Sequence, residues 1–289
     1  MDFLRPASLA EALAVKAERP DAVPIAGGTD VMVELNFDHR RPAALLDLTG
    51  VPELARWSTS DGTVRLGATV SYSRVITELG ETLPGLAMAS RTVGSPQIRN
   101  RGTVGGNLGA ASPAGDTHPV LLSLGADVEL ASVRGNRLVP AEEFYLGVKR
   151  HALEPDELIT AVHLPANAGP QQFAKVGTRN AMVIAVCSFA LSLHPDRLAA
   201  GAAVGSAAPT PRRAREAEEF LATELPWAEP APLADSLKRR FGGLVAAAAA
   251  PIDDVRGSAD YRRHALAVLA RRTLTWAWDE HRGSERTCA

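Results

Sequence analysis

Two glycine-rich stretches carry the clearest chemical signal in the chain, Ala26-Gly27-Gly28-Thr29-Asp30 and Thr103-Val104-Gly105-Gly106-Asn107. Glycine lacks a Cβ and reaches backbone conformations closed to other residues, so paired glycines let main-chain N–H groups approach an anion. A pyrophosphate suits that chemistry. Either stretch alone reads equally well as a tight turn, whereas two of them favour a divided cradle for a dinucleotide. No G-x-G-x-x-G follows a strand and no G-x-x-x-x-G-K-[ST] occurs, which disfavours the Rossmann and P-loop ways of holding phosphates.

Other reactive residue types form no constellation. Ser112, Asp116 and His118 crowd one stretch, but no G-x-S-x-G accompanies them and a hydrolytic triad is not expected. His39, His151, His163, His194, His264 and His281 show no metal-ligand spacing such as H-E-x-x-H, so no metal site is expected. Cys187 lies in an apolar run and Cys288 is one residue from the end. Two cysteines so far apart cannot supply the thiolates of an iron–sulfur cluster, and any such cluster belongs to another chain. No catalytic residue is assigned.

The elements that must position the two stretches are legible from pattern. Ser8 with Glu11 reads as a capping box opening a helix over Leu9 to Lys16, and Pro20 closes it. A strand over Val23 to Ala26 runs into the first glycine stretch, and Ala44 to Leu48 reads as another strand. After Val51-Pro52 the pattern restarts with a strand around Val64 to Leu66 and helical stretches from Ser71 and Leu86. Gly94 to Gly115 reads as a long loop, and loops of that length are commonly functional. Pro119 to Leu124 then reads as a helix capped by Asp116, and Val128 to Val139 as a hairpin turned at Gly135-Asn136. Glu157 to Leu164 is a further strand, and Pro165 to Pro170 reads as a linker. Beyond it lie strands around Phe173 to Val176, Val183 to Leu193 and Ala199 to Val204. Helices follow over Pro211 to Leu221 and Asp260 to Trp278, the last with a core stripe of Leu266, Leu269, Thr273 and Trp276.

The run from Thr103 through Asn107-Leu108-Gly109-Ala110-Ala111-Ser112-Pro113-Ala114-Gly115 to Asp116 resembles the flavin loop of the FAD-binding medium subunits of the xanthine dehydrogenase and carbon monoxide dehydrogenase family, the molybdenum hydroxylases. Ala26 to Asp30 resembles that family's first flavin loop. The likeness continues through Phe173-Ala174-Lys175-Val176-Gly177-Thr178-Arg179 and Asp254-Val255-Arg256-Gly257-Ser258-Ala259-Asp260-Tyr261-Arg262-Arg263, and so covers nearly the whole chain. The resemblance implies an α+β fold. It comprises a two-lobed FAD-binding domain of the vanillyl-alcohol oxidase-like type, with lobes over 1–52 and 53–167, followed by a smaller α/β C-terminal domain over 171–289. It implies FAD as cofactor, with Ala26, Gly27, Gly28, Thr29, Asp30, Thr103, Val104, Gly105, Gly106 and Asn107 on the diphosphate and its flanks, and Asp116, Ile159 and Lys175 as further flavin contacts. Ala110 and His118 depart from the family's usual residues, removing an amide and adding a titratable imidazole close to the expected flavin. The implied partners are a large subunit with the molybdenum cofactor and a small subunit with [2Fe–2S] clusters, with NAD or another external acceptor taking the electrons.

Bulk composition agrees with small-molecule chemistry. The 289 residues are 46% hydrophobic and 22% charged, with a formal charge of −2, so no broad basic field invites nucleic acid. The longest nearly apolar run, Ala181 to Leu193, is short of the roughly 20 residues that span a bilayer. The N-terminus has no apolar signal core, and a cytoplasmic protein is expected. Arginine pairs such as Arg212-Arg213, Arg239-Arg240 and Arg262-Arg263 read as solvated helix faces or as docking points for partner subunits. Two rival readings stay open: a stand-alone FAD oxidase or dehydrogenase acting directly on a small molecule, and a flavin-free assembly subunit.

Overall fold

The structure, a computed structural model, describes residues 1–166 and 169–288, with side chains through residue 283. From the N-terminus, β1 (Asp2–Leu4), α1 (Leu9–Glu18), β2 (Val23–Ile25), α2 (Val31–Asn36) and β3 (Ala44–Asp47) surround a parallel sheet of order β1-β3-β2. The Ser8 hydroxyl accepts from the Glu11 N–H at 3.2 Å, while the Glu11 carboxylate reaches back to the Ala7 N–H at 2.7 Å. The cap therefore works as the sequence predicts, with the return bond one residue earlier than in the usual box. Ala12, Leu46 and Leu54 are fully buried beneath this sheet, and Leu158 from a later strand completes their core.

A second unit follows: β4 (Trp57–Ser60), β5 (Thr63–Gly67), α3 (Tyr72–Glu78), α4 (Pro84–Thr92), α5 (Pro96–Arg101), α6 (Val104–Ala110), α7 (His118–Leu124), β6 (Asp127–Ser132), β7 (Gly135–Pro140), α8 (Ala141–Phe144), β8 (Tyr145–Gly147), β9 (Arg150–His151) and β10 (Leu158–Pro165). Its main sheet is antiparallel in the order β4-β5-β10-β6-β7, and β8 with β9 forms a separate hairpin. Leu86, Leu121 and Leu130 are fully buried between sheet and helices, each contributing about 1.5–3 kcal/mol of apolar burial.

Three sequence expectations fail here for physical reasons. The predicted loop over Gly94 to Gly115 contains α5 and α6, because Ser95 and Thr103 each cap a helix start with a side-chain hydroxyl. The hairpin turns at Val133-Arg134 instead of Gly135-Asn136, since Ser132 pairs with Gly135 and Val128 with Val139. That register keeps Val128, Leu130 and Val139 buried, which outweighs the local turn preference of Gly-Asn. Asp116 does not cap α7; its carboxylate is drawn to other partners, described below.

The third unit comprises β11 (Gln171–Val176), β12 (Cys187–His194), β13 (Ala199–Gly205), β14 (Arg212–Arg213), α9 (Arg215–Glu224), α10 (Asp235–Ala248) and α11 (Ala259–Cys288). The sheet is an antiparallel meander in chain order, and every residue of β12 is buried because helices cover both faces. On α11 the buried face centres on Ala270 and Ala277, so Leu266, Leu269 and Thr273 lie on it but Trp276 is 49% exposed. Trp278 takes the core position instead, donating its indole N–H to the Ala231 carbonyl at 2.7 Å. No helix among the described residues is long and apolar enough to cross a membrane.

Candidate cofactor-binding cleft

A cleft of about 670 Å³ opens between the parallel sheet and the second unit, and both glycine stretches line it. It gathers Ala26, Gly27, Gly28, Thr29 and Asp30 with Gly105, Gly106 and Ile159, and adds Ala68, Thr69, Gly109 and Ala110. The two glycine doublets divide their work in the same way. A Cβ on Gly27 would lie 1.8 Å from the Arg101 carbonyl oxygen, and one on Gly105 would lie 2.5 Å from the Ala68 Cβ, so the first glycine of each doublet is a packing contact. The second meets no backbone: a Cβ on Gly106 would meet only the Thr103 hydroxyl, at 3.0 Å, and one on Gly28, which takes a left-handed φ of +76°, would touch only the Met32 and Ile25 side chains, from 3.4 Å. Packing by the first glycine is what brings the backbone of the second to the cleft.

Helix α6 carries that surface despite its composition. Each glycine costs about 1 kcal/mol relative to alanine within a helix, and α6 includes Gly105, Gly106 and Gly109. The Thr103 hydroxyl accepts from the Gly106 N–H at 2.9 Å, a cap that offsets about 1 kcal/mol. Thr103 and Val104 are buried and frame the helix without lining the cleft. Gly109 was missed as a candidate because the segment read as loop; its spacing of three from Gly106 is a helical signal, placing both on one face.

The rim is ionic and had no signature in the sequence. Lys16 is buried and donates from Nζ to the Pro20 and Ala22 carbonyls, both at 2.8 Å, and burial lowers its pKa. Lys149, just past β8, donates to the Glu34 carboxylate of α2 at 2.7 Å, joining the two sides of the cleft mouth. Its own N–H bonds the Ala111 carbonyl at the end of α6, at 3.1 Å.

Asp116 and Lys175 meet outside that lining. Lys175 Nζ donates to Asp116 Oδ2 at 2.5 Å and to the Thr92 and Val183 carbonyls, both at 3.0 Å. The Thr92 hydroxyl also donates to Asp116 Oδ2, at 2.8 Å, whereas Oδ1 is buried with no partner. Burial raises the Asp116 pKa, and the adjacent Lys175 opposes that rise. An orphaned buried carboxylate oxygen is a place for a ligand donor.

Asn107 is turned away from the open glycines. Its amide nitrogen lies 3.0 Å from Nε2 of His118, whose Nδ1 lies 2.7 Å from the Tyr145 hydroxyl. His118 is fully buried, and burial pulls its pKa down to about 3. The expectation that this imidazole titrates is therefore corrected: it is neutral across the physiological range. Cys187 is buried too, and burial pushes its thiol up to about 12, so it is an unreactive core residue. The Cys288 side chain lies outside the described residues. Among those residues no cluster of His, Cys, Asp and Glu is arranged to hold a metal ion.

Two glycine stretches brought to one cleft suit a flavin-binding oxidoreductase component, and comparison with known proteins identifies that class. Residues 1–167 match the FAD binding domain in molybdopterin dehydrogenase, and residues 172–277 match the CO dehydrogenase flavoprotein C-terminal domain. The chain is 32% identical over 283 residues to the nicotine 6-hydroxylase medium subunit of Paenarthrobacter nicotinovorans, covering 95% of this chain and 96% of that one. It is 31% identical over 289 residues to a putative xanthine dehydrogenase FAD-binding subunit of Escherichia coli, covering 95% of each. The solved structure of quinoline 2-oxidoreductase from Pseudomonas putida 86 superposes with a TM-score of 0.88 at 29% identity, over 96% of this chain and 97% of that one. The chain belongs to the family of FAD-binding medium subunits of molybdenum hydroxylase-type dehydrogenases. FAD is its cofactor, and it is an FAD-dependent oxidoreductase subunit.

Proposed function

We propose that this chain holds FAD in the cleft and relays electrons from the [2Fe–2S] clusters of a small partner subunit, reduced in turn at a molybdenum centre in a large partner subunit, to an external acceptor such as NAD. The observation that carries the reading is the pair of glycines, Gly28 and Gly106, that line one cleft from two separate units. Relatives named for nicotine and xanthine align in sequence with this chain almost end to end, which fits a component whose partner selects the substrate. The same reading makes the assembly cytoplasmic.

In this reading Ala26 to Asp30 with Gly105 and Gly106 grip the diphosphate and its flanks, the backbone of Gly28 and Gly106 at closest approach, while Thr103, Val104 and Asn107 hold helix α6 in place from behind. Ile159 supplies an apolar wall. Asp116 and Lys175 lie outside the cleft lining, on the side of the C-terminal sheet; there Asp116 offers the cofactor its unpaired Oδ1, while Lys175, whose N–H groups are all engaged, acts through its charge. Bound FAD accepts electrons singly and releases them in pairs, so the work left to the protein is binding, orientation and electrostatic tuning. The 1–52 and 53–167 lobes would close on the diphosphate from opposite sides.

The test is anaerobic reduction of the flavin by the organic substrate. The native complex, containing molybdenum and iron by elemental analysis, should bleach its flavin within turnover time. This chain alone, loaded with FAD, should pass electrons from dithionite to an artificial acceptor but not react with the organic substrate. Rapid bleaching of the isolated chain by that substrate would establish a stand-alone flavoenzyme instead.

A further inference from the structure

We propose that His118 is a positioning residue for FAD: it fixes Asn107, and through it the glycine face of α6, in the orientation that receives the cofactor. The inference rests on the reading that the cleft takes FAD.

Three observations converge on it. His118 is the first residue of α7 and is fully buried, yet both ring nitrogens are engaged, Nε2 by the Asn107 amide at 3.0 Å and Nδ1 by the Tyr145 hydroxyl at 2.7 Å. A neutral imidazole has one N–H and one acceptor nitrogen, so a donor on one side and an acceptor on the other satisfy it fully. The ring also stands edge-on to Tyr145, with centroids 4.8 Å apart.

The segment before α7 is shaped around this bond. A Cβ on Gly115 would lie 2.2 Å from His118 Nε2 and 2.4 Å from Asn107 Nδ2, so the backbone lies flat against the pair. Any side chain at 115 would part them.

The positions that His118 joins are those that shape the cleft. Asn107 follows Gly106 directly on α6, and Tyr145 begins the hairpin whose Lys149 bonds Ala111 at the end of α6 and Glu34 across the cleft mouth. The hairpin thus grips α6 at two points, and His118 is the inner one. Losing it frees α6 to rotate, which misaligns Gly106 and Gly109 without touching the cofactor directly.

The experiment measures FAD affinity in the full chain with His118→Phe, which keeps an aromatic ring but removes both hydrogen bonds, and with His118→Gln, which restores an amide able to meet Asn107. His118→Phe should weaken FAD binding about tenfold or more, and His118→Gln should recover part of that loss. The effect should vanish when Asn107→Ala is already present, because His118 acts through that residue. The absorbance fine structure of the residual bound flavin should also change. Unchanged affinity and spectrum in His118→Phe would overturn the proposal, as would an equal loss of affinity with and without Asn107→Ala. If His118→Phe does not fold, Tyr145→Phe decides: it keeps the imidazole and should loosen FAD several-fold, and parental affinity would count against the proposal. Failure of the parent chain to bind FAD would instead remove the function proposed above.

Discussion

The Lys175 ammonium lies 2.5 Å from Asp116 Oδ2, joining the C-terminal sheet to the segment just before α7. Both side chains are nearly buried, at 10% and 7% exposure, and the remaining Lys175 N–H groups are taken by the Thr92 and Val183 carbonyls. The pair therefore ties four segments together at the cost of desolvating two charges. Removing one partner of such a pair is far more damaging than its net contribution suggests.

Lys175→Met should cost about 3–5 kcal/mol at neutral pH, because it strands the Asp116 charge. Burial already raises the Asp116 pKa and Lys175 opposes the rise, so without the lysine the pKa climbs further. A carboxyl raised in the folded state favours folding when protonated and loses that contribution as pH rises through the folded pKa. The deficit of the variant against the parent should thus be largest near pH 8 and shrink on acidification. Urea unfolding at several pH values measures it, and a pH-independent deficit would show that Asp116 is not its source.

The glycine doublets give a paired prediction. Gly106→Asp places a side chain and a negative charge at the open position, so FAD should be lost while the far-UV spectrum and unfolding midpoint stay near the parent's. Gly105→Ala should do the reverse kind of harm, costing about 1–3 kcal/mol of stability through its clash with Ala68. Flavin content and thermal unfolding, measured on both, separate the two roles. Full flavin content in a folded Gly106→Asp protein would take this helix out of the site.

Glu129 on β6 is the hub of a second ionic web. Arg65 donates to it at 2.6 and 3.0 Å, the Thr160 hydroxyl at 2.5 Å, and His163 Nε2 lies 2.7 Å away. Burial pushes the carboxyl up, but Arg65, Thr160 and His163 together outweigh it and hold the pKa at about 2, below the ordinary 4.5. A lowered carboxyl stabilises the fold above its unfolded pKa and loses that contribution as pH falls through the folded one. Glu129→Gln should therefore cost about 2 kcal/mol at pH 7, a figure discounted for the partly exposed Arg65. The difference should fade between pH 4.5 and 2. Guanidinium midpoints across that window provide the check.

Much of this was legible in the sequence where one physical cause acts locally. Ser8 and Glu11 specify a helix start by themselves, and the glycine doublets announce close backbone approach wherever they occur. What could not be read depended on distant partners. Asp116 looks like a helix cap because α7 follows it, yet Lys175, 59 residues on, claims its carboxylate. The Gly135-Asn136 signal lost to the burial of Val128 and Leu130, a tertiary effect invisible to turn preference. Lys16, Glu34 and Lys149 reach the rim of the cleft only because the units pack as they do, and no spacing rule relates them.

The core of the second unit does not stop at its own boundary. Phe173, Ala190 and Ala203, all from the third sheet, are buried in the same cluster as Leu86, Val120 and Leu121, and the Gln171 side chain accepts from the Gly85 N–H at 3.1 Å. Two modules that sequence comparison separates near residue 170 thus share one core and should behave as a single thermodynamic unit. Heating should unfold them in one cooperative transition, with the calorimetric and van't Hoff enthalpies equal. A fragment ending at residue 170 would present α7 and one side of α4 to water as a bare apolar face, and it should aggregate rather than survive as an independent flavin carrier.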